Sequence, residues 1–262
     1  MAQVTVAGKR LFGLTGRWGR RAAGGLLDLL LPPRCLACTA VIDQPGGLCA
    51  ECWRDMPFLE APWCARYGTP FAYDIGKDGL SPRAIADPPV FERARAVAHY
   101  SGPARDMVMA LKFSGRRDLA GPMGCWMARA GREFLDKDSV IVPVPLHRIR
   151  LWQRRFNQSA DLARAVAGVS GGTYVPELLR RKRRTRQQVG LDAAARRQNV
   201  RGAFGVREDL EEFVYGKQVV LVDDVLTTGA TVSACTKVLK SAGAAGIDVL
   251  TFANADPAGV LS

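Results

Sequence analysis

The chain has 262 residues, enough for one large domain or for a medium domain with a small appendage. Hydrophobic residues at 48% can build a core, and 24% charged residues exclude both a disordered tail and a fibre. The 37 basic residues exceed the 25 acidic ones by 12, and that excess implies a polyanionic partner, either nucleic acid or a small phosphate-rich ligand.

Residues 1–31 read as a basic, mostly helical lead-in with Leu26, Leu27, Leu30 and Leu31 on one side. The longest apolar run, residues 22–33, is broken by Asp28 and falls short of the roughly 18 residues of a membrane span. Arg20 and Arg21 imitate the start of a signal peptide, but Pro32, Pro33 and Arg34 follow where a small-residue cleavage site would stand. A cytoplasmic protein is expected.

Residues 32–89 are rich in proline and cysteine and poor in helical periodicity, and Asp87-Pro88-Pro89 closes them as a linker. Cys35-x2-Cys38 and Cys49-x2-Cys52 are separated by ten residues, with Pro45-Gly46-Gly47 placed to fold one pair back on the other. Two thiolate pairs on tight knuckles meet around one zinc ion at tetrahedral geometry. With all four positions cysteine, no coordination place is left for catalysis, and the ion would be structural. Cys64, Cys125 and Cys235 read as small buried hydrophobes.

From residue 90 the texture changes. Residues 95–100 suggest a strand and residues 103–113 a helix opened by proline. A second helix is predicted over 119–135, and 139–147 (SVIVPVPLH) is a buried strand with prolines at its end. An amphipathic helix follows over 157–167, with Leu162, Ala163 and Val166 on one face. The basic excess then becomes local: residues 141–207 carry 15 Lys and Arg against three acids, whereas the remaining chain balances at 22 of each. Within that segment residues 180–201 have no apolar stripe to bury. A strand over 217–224, a helix over 231–242 stopped by Gly243, and a strand over 246–252 complete the pattern. Strands alternating with helices of a dozen residues imply an α/β parallel sheet with right-handed crossovers and helices on both faces. No internal repeat is evident.

The chemistry concentrates at residues 219–231, VVLVDDVLTTGAT. A buried strand ends in two adjacent carboxylates, Asp223 and Asp224, and turns through Thr227, Thr228, Gly229 and Ala230 into a helix that includes Thr231. Amides and hydroxyls of such a turn cradle an anion at the positive end of the helix dipole. The flanking acids can accept hydrogen bonds from sugar hydroxyls or hold Mg2+ indirectly. A P-loop ATPase is excluded, because no G-x-x-x-x-G-K-[ST] string occurs.

This motif resembles the phosphoribosyl pyrophosphate (PRPP) motif of type I phosphoribosyltransferases. Together with the cysteine pairs, PVPLHRIRLWQRRFNQSADLAR (143–164) and TRQQVGLDAAARRQNVRGAF (185–204), it makes the chain resemble the ComF (GntX-like) family, a double zinc ribbon before a phosphoribosyltransferase domain. The resemblance implies that Asp223 and Asp224 meet the ribose 2- and 3-hydroxyls and that Thr227, Thr228, Gly229, Ala230 and Thr231 hold the 5-phosphate. It places Val144, Pro145 and Leu146 near the diphosphate, and makes the basic stretch 181–204 a cover over the site. It also implies PRPP with Mg2+ as ligand, and a link to natural transformation, with single-stranded DNA and recombination proteins as partners.

Two functions are then open. One is phosphoribosyl transfer from Mg2+-PRPP through an oxocarbenium-like transition state. His99 and His147 are the only histidines and read as structural residues, so no acceptor base is evident. The other is a non-catalytic adaptor for single-stranded DNA, with Trp152, Phe156 and Phe204 stacking bases among the arginines. The resemblance further implies a second cysteine set. Tyr67 stands three residues after Cys64, and Ser81 and Ala84 stand where its last pair would align. One zinc is therefore expected, in a layout of lead-in 1–31, zinc module 32–89 and phosphoribosyltransferase-like domain 90–262.

Overall fold

The computed structural model describes residues 32–146, 156–182 and 202–255. The predicted lead-in, His147, Trp152 and most of the basic stretch lie outside them.

Five parallel strands form one sheet in the order β1-β7-β6-β2-β3. These are β1 (Ala94–His99), β2 (Val140–Pro143), β3 (Thr173–Tyr174), β6 (Gln218–Leu226) and β7 (Gly246–Asn254). The predicted apolar runs at 217–224 and 246–252 are its central pair, and each extends two residues further than expected, to Leu226 and Asn254. Buried strands side by side need no alternation, and β7 is buried at all nine positions. The run at 139–147 stops pairing as a strand at Pro143, although the Val144 amide still donates to the Val222 carbonyl at 2.9 Å.

Pleating sends successive β6 residues to opposite layers. Val220 and Val222 face α3 (Gly102–Phe113), α4 (Ala120–Ala130) and α5 (Gln158–Ser170), where Met107, Leu111, Met123, Met127 and Leu162 are fully buried. Val219 and Leu221 face α6 (Ala230–Ser241), whose Val232, Cys235 and Leu239 point inward. Helices thus cover both faces, as the pattern predicted. The helix expected over 119–135 ends at Ala130 with Gly131 as its cap. Its inward stripe holds Met123, Gly124 and Met127 and leaves Cys125 exposed, against the expectation of a buried thiol. Gly124 lets α4 and α5 touch: a Cβ there would lie 2.3 Å from the Ala165 Cβ. Gly124→Val is expected to cost about 3 kcal/mol in urea unfolding, while Gly121→Ala, which meets open space, is expected to be neutral or stabilising.

The two short helices before the sheet, α1 (Ala50–Arg54) and α2 (Pro82–Ala86), end two segments of like build. In the first, an Arg34–Val41 bridge precedes Cys49, which caps α1 by accepting from the Cys52 amide at 3.5 Å. In the second, a Trp63–Pro70 bridge precedes Ser81, which caps α2 by accepting from the Ala84 amide at 3.3 Å. An internal repeat therefore exists, as the implied second cysteine set suggests, although no residue pattern marks it. It escapes sequence inspection because Tyr67, Ser81 and Ala84 replace three of the four residues that would mark it.

These segments straddle the β1 edge. Leu36 and Met56 join the α3–α5 layer, whereas Cys64, Tyr67 and Ala84 join the α6 layer. Between them, the Leu59 amide donates to Val97 and the His99 amide to Pro57, so the edge strand is covered. Buried Arg95 ties the second segment down: its guanidinium meets the Ala65 carbonyl at 3.3 Å, Glu133 at 2.6 Å and the Trp63 ring at 5.0 Å.

Candidate functional site

Two groups of residues could carry function. In the first, Cys35, Cys38, Cys49 and Cys52 bring their sulfurs within 4.8 Å of one another. The Cys38 and Cys49 sulfurs are 3.6 Å apart, close to the separation of thiolates sharing one tetrahedral zinc. The Cys49 amide donates to the Cys35 sulfur at 3.3 Å, a bond that favours thiolate. Burial works to raise the Cys35 thiol, but the amides of Cys49, Cys38 and Ala37 prevail and hold it down to about 6. Burial and then the neighbouring sulfurs push Cys52 upward. Four thiols this close cannot all ionise unless a cation sits between them, and four sulfur donors suit zinc.

The second segment repeats that geometry without the ligands. The Cys64 sulfur accepts from the Tyr67 amide at 3.5 Å and the Ser81 amide at 3.3 Å. Cys64 is buried as expected, yet it occupies a ligand's place. The Tyr67 ring stacks under the Arg83 guanidinium at 4.2 Å and meets Phe91 edge-on at 5.8 Å. Its hydroxyl donates to the Asp87 carbonyl at 3.0 Å. Aromatic packing fills the position of a second ligand.

The second group lies at the carboxyl end of β6. Asp224 points into the α3–α5 layer, where its carboxylate meets Lys112 Nζ at 2.8 Å and Gln158 Nε2 at 2.9 Å. Asp223 accepts from the Ser159 hydroxyl at 2.8 Å and from the Asp224 amide at 2.9 Å. Burial first, and the Asp224 carboxylate second, raise Asp223 to about 7. By contrast Asp248, at the other end of the sheet, is fully buried but satisfied by Arg93 and Gln218, each at 2.8 Å.

After Leu226 the chain turns through Thr227 and Thr228 to Gly229, whose φ of +77° suits glycine, and α6 begins at Ala230. The Thr228 hydroxyl is buried without a hydrogen-bond partner among the described residues. Arg83 from α2 donates to the Thr228 carbonyl at 3.3 Å. The loop after β2 stands beside this turn, because Pro143 pairs with Val222. Val144 is buried in the core and offers no side chain to a ligand, although its carbonyl accepts from Asn157 at 3.3 Å. Pro145 and Leu146 are half-buried. No residue pattern marks Lys112 as a partner of the acid pair. Gln158 and Ser159 lie in the FNQ segment, but their roles depend on α5 starting against β6.

The basic stretch leaves and returns through β4 (Leu179–Arg181) and β5 (Phe204–Val206), which pair antiparallel with Arg181 opposite Phe204. Residues 183–201 lie outside the described ones. Phe204 is buried in the α6-side core, and Phe156 is half-buried against the other layer. His99 ends β1, two strands from β6, and its Nδ1 pairs with the Ser101 hydroxyl at 3.3 Å. No helix among the described residues is long and apolar enough to cross a membrane.

Two family models match the chain. The double zinc ribbon domain matches residues 26–85, and the phosphoribosyl transferase domain matches residues 172–260. The chain is 29% identical over 228 residues to competence protein F of Haemophilus influenzae, covering 85% of this chain and 97% of that one. It is 33% identical over 230 residues to the DNA utilization protein YhgH of Salmonella typhimurium, covering 84% and 96% respectively. Among solved structures, glutamine PRPP amidotransferase of B. subtilis overlaps at 24% identity and a TM-score of 0.37, covering 54% of this chain and 30% of that one. With a double zinc ribbon ahead of a phosphoribosyltransferase-type sheet, and relatives matched over nearly their full length, the chain belongs to the ComF (GntX-like) family.

Proposed function

We propose that this protein binds PRPP or a nucleotide 5-phosphate at the turn of residues 227–231, and that it acts in DNA uptake or utilisation as its relatives' names suggest. The observation that carries the reading is the buried Thr228 hydroxyl without a partner, beside a left-handed Gly229 and an acid pair. An orphaned donor is costly unless a ligand acceptor meets it. A phosphate there would take the hydroxyl and the first amides of α6. Ribose hydroxyls would then donate to Asp223, whose partner Asp224 is already neutralised by Lys112. Mg2+ would accompany the diphosphate near Pro145 and Leu146 and balance its charge. The layout of zinc module 32–89, domain 90–262 and one zinc per chain, in a cytoplasmic protein, belongs to the same proposal.

Saturating Mg2+-PRPP is expected to raise the melting temperature by roughly 5–10 °C. Thr228→Val, which removes the orphaned hydroxyl and keeps its shape, should leave the unliganded melting temperature unchanged or higher and abolish most of that rise. No rise in the native protein would contradict the reading. The concentration of positive charge over residues 141–207 favours a second reading, a DNA-binding adaptor. Binding of short single-stranded DNA with a steep salt slope, alongside indifference to PRPP, would establish that alternative instead.

A further inference from the structure

A cavity of about 690 Å³ opens on the flank of α6, next to the phosphate turn. That is the size of a nucleotide pocket. Asp223 and Asp224 do not line it, so it is separate from the place proposed for the ribose of PRPP. One end is formed by Thr228, Gly229 and Ala230, the turn that carries the orphaned hydroxyl. One wall is α6, where Ser233 and Ala234 keep the side chains short and the exposed Lys237 stands at the rim. The opposite wall is the segment after the ribbons, with Pro88 and Pro89 facing the cavity and the Phe91 and Tyr67 rings buried behind them. Arg83 fixes the two walls relative to each other, since it stacks on Tyr67 and donates to the Thr228 carbonyl.

A short-chained helix face opposite two prolines leaves a slot suited to a flat, partly apolar ring. A sugar phosphate alone would leave this slot filled with water. We propose that the cavity holds the base of a nucleotide whose phosphate rests on Thr228–Ala230, the ribbon segment supplying one wall. The inference rests on the phosphate reading of the turn. It assigns the second ribbon a task, since Tyr67 stands in the place of a metal ligand and Arg83 lies on the helix that follows.

Calorimetric titration of the full chain with ribose 5-phosphate, a nucleoside 5-monophosphate and a 5-phosphorylated tetranucleotide tests it. The monophosphate is expected to bind about tenfold tighter than ribose 5-phosphate, from ring contact in the slot. Ala234→Phe, which fills the slot, should bring that ratio close to one while ribose 5-phosphate binds as before. A tetranucleotide tighter than the monophosphate would identify a strand end as the ligand source, and a weaker one a free nucleotide; both uphold the base site. Equal affinity of native protein for ribose 5-phosphate and monophosphate, or a ratio untouched by Ala234→Phe, would overturn it. Failure of ribose 5-phosphate to bind would instead remove the phosphate reading, and this inference with it. Should Ala234→Phe not fold, saturation-transfer NMR on the native protein decides. Base protons should receive the strongest saturation, and weak saturation of the base relative to the ribose would count against the slot.

Discussion

Replacing Cys38 by Ser is expected to abolish zinc binding and to lower stability by on the order of 3 kcal/mol, or roughly 6–12 °C in melting temperature. Cys38 is the exposed member of the four, so its loss leaves no core void, and the effect isolates the metal. The loss reaches beyond the ribbon because Leu36 and Met56 belong to the same apolar layer as α3–α5, and the residues just after Met56 cover β1. Without the ion, four crowded sulfurs repel and the two knuckles have no shared centre. Cys64→Ser should differ in kind: zinc content stays at one per chain, and only the small cost of a buried hydroxyl in place of a thiol appears. Zinc analysis of the two variants checks both statements. Two zinc ions in the native protein would show that the second ribbon keeps a site.

Asp223→Asn is expected to stabilise the unliganded protein by about 2 kcal/mol at pH 8 and to weaken Mg2+-PRPP binding by roughly a hundredfold or more. Asp223 titrates near 3.8 in an unfolded chain and about 7 in the folded one. The protonated form therefore favours folding; its stabilisation is complete below pH 3.8 and is lost as the pH rises through 7. Above pH 7 the native protein holds a carboxylate that burial and Asp224 both disfavour. Asparagine removes the charge and still offers Ser159 an acceptor. The full shift would imply roughly 4 kcal/mol, but Asp223 is only half-buried and solvent screens part of it, so about half of that is expected. The gap between variant and native protein should close as the pH falls toward 4. Chemical unfolding at pH 4, 6 and 8 measures it; a variant less stable than the native protein at pH 8 would mean that Asp223 is a structural acid. A group that costs stability yet persists beside an open turn is the signature of a ligand site.

Much of this was legible in the residues. The apolar runs at 217–224 and 246–252 were long, β-branched and flanked by glycine, which leaves a parallel strand as the only economical reading. The acid pair was legible because its setting is local, with strand, turn, glycine and helix following one another in thirteen residues. What the sequence concealed depends on contacts across the chain. Lys112 lies 112 residues before Asp224 and meets it only because α3 packs on β6. Gly124 looked unremarkable in a helix and proved to be where Ala165 presses. Phe204 reads as available to nucleic acid among arginines, yet packing buries its ring in the α6-side core. The second ribbon is legible only through the family resemblance, because its fold survives in amides donated to Cys64 and Ser81, which no residue pattern records.

The most direct test is a crystal structure of the full chain soaked with Mg2+ and PRPP. The expected result is phosphate density against the Thr228 hydroxyl and the amides of Gly229 to Thr231, with the ribose hydroxyls reaching Asp223. Density lodged elsewhere, or a Thr228 hydroxyl left without an acceptor at saturating ligand, would contradict the account.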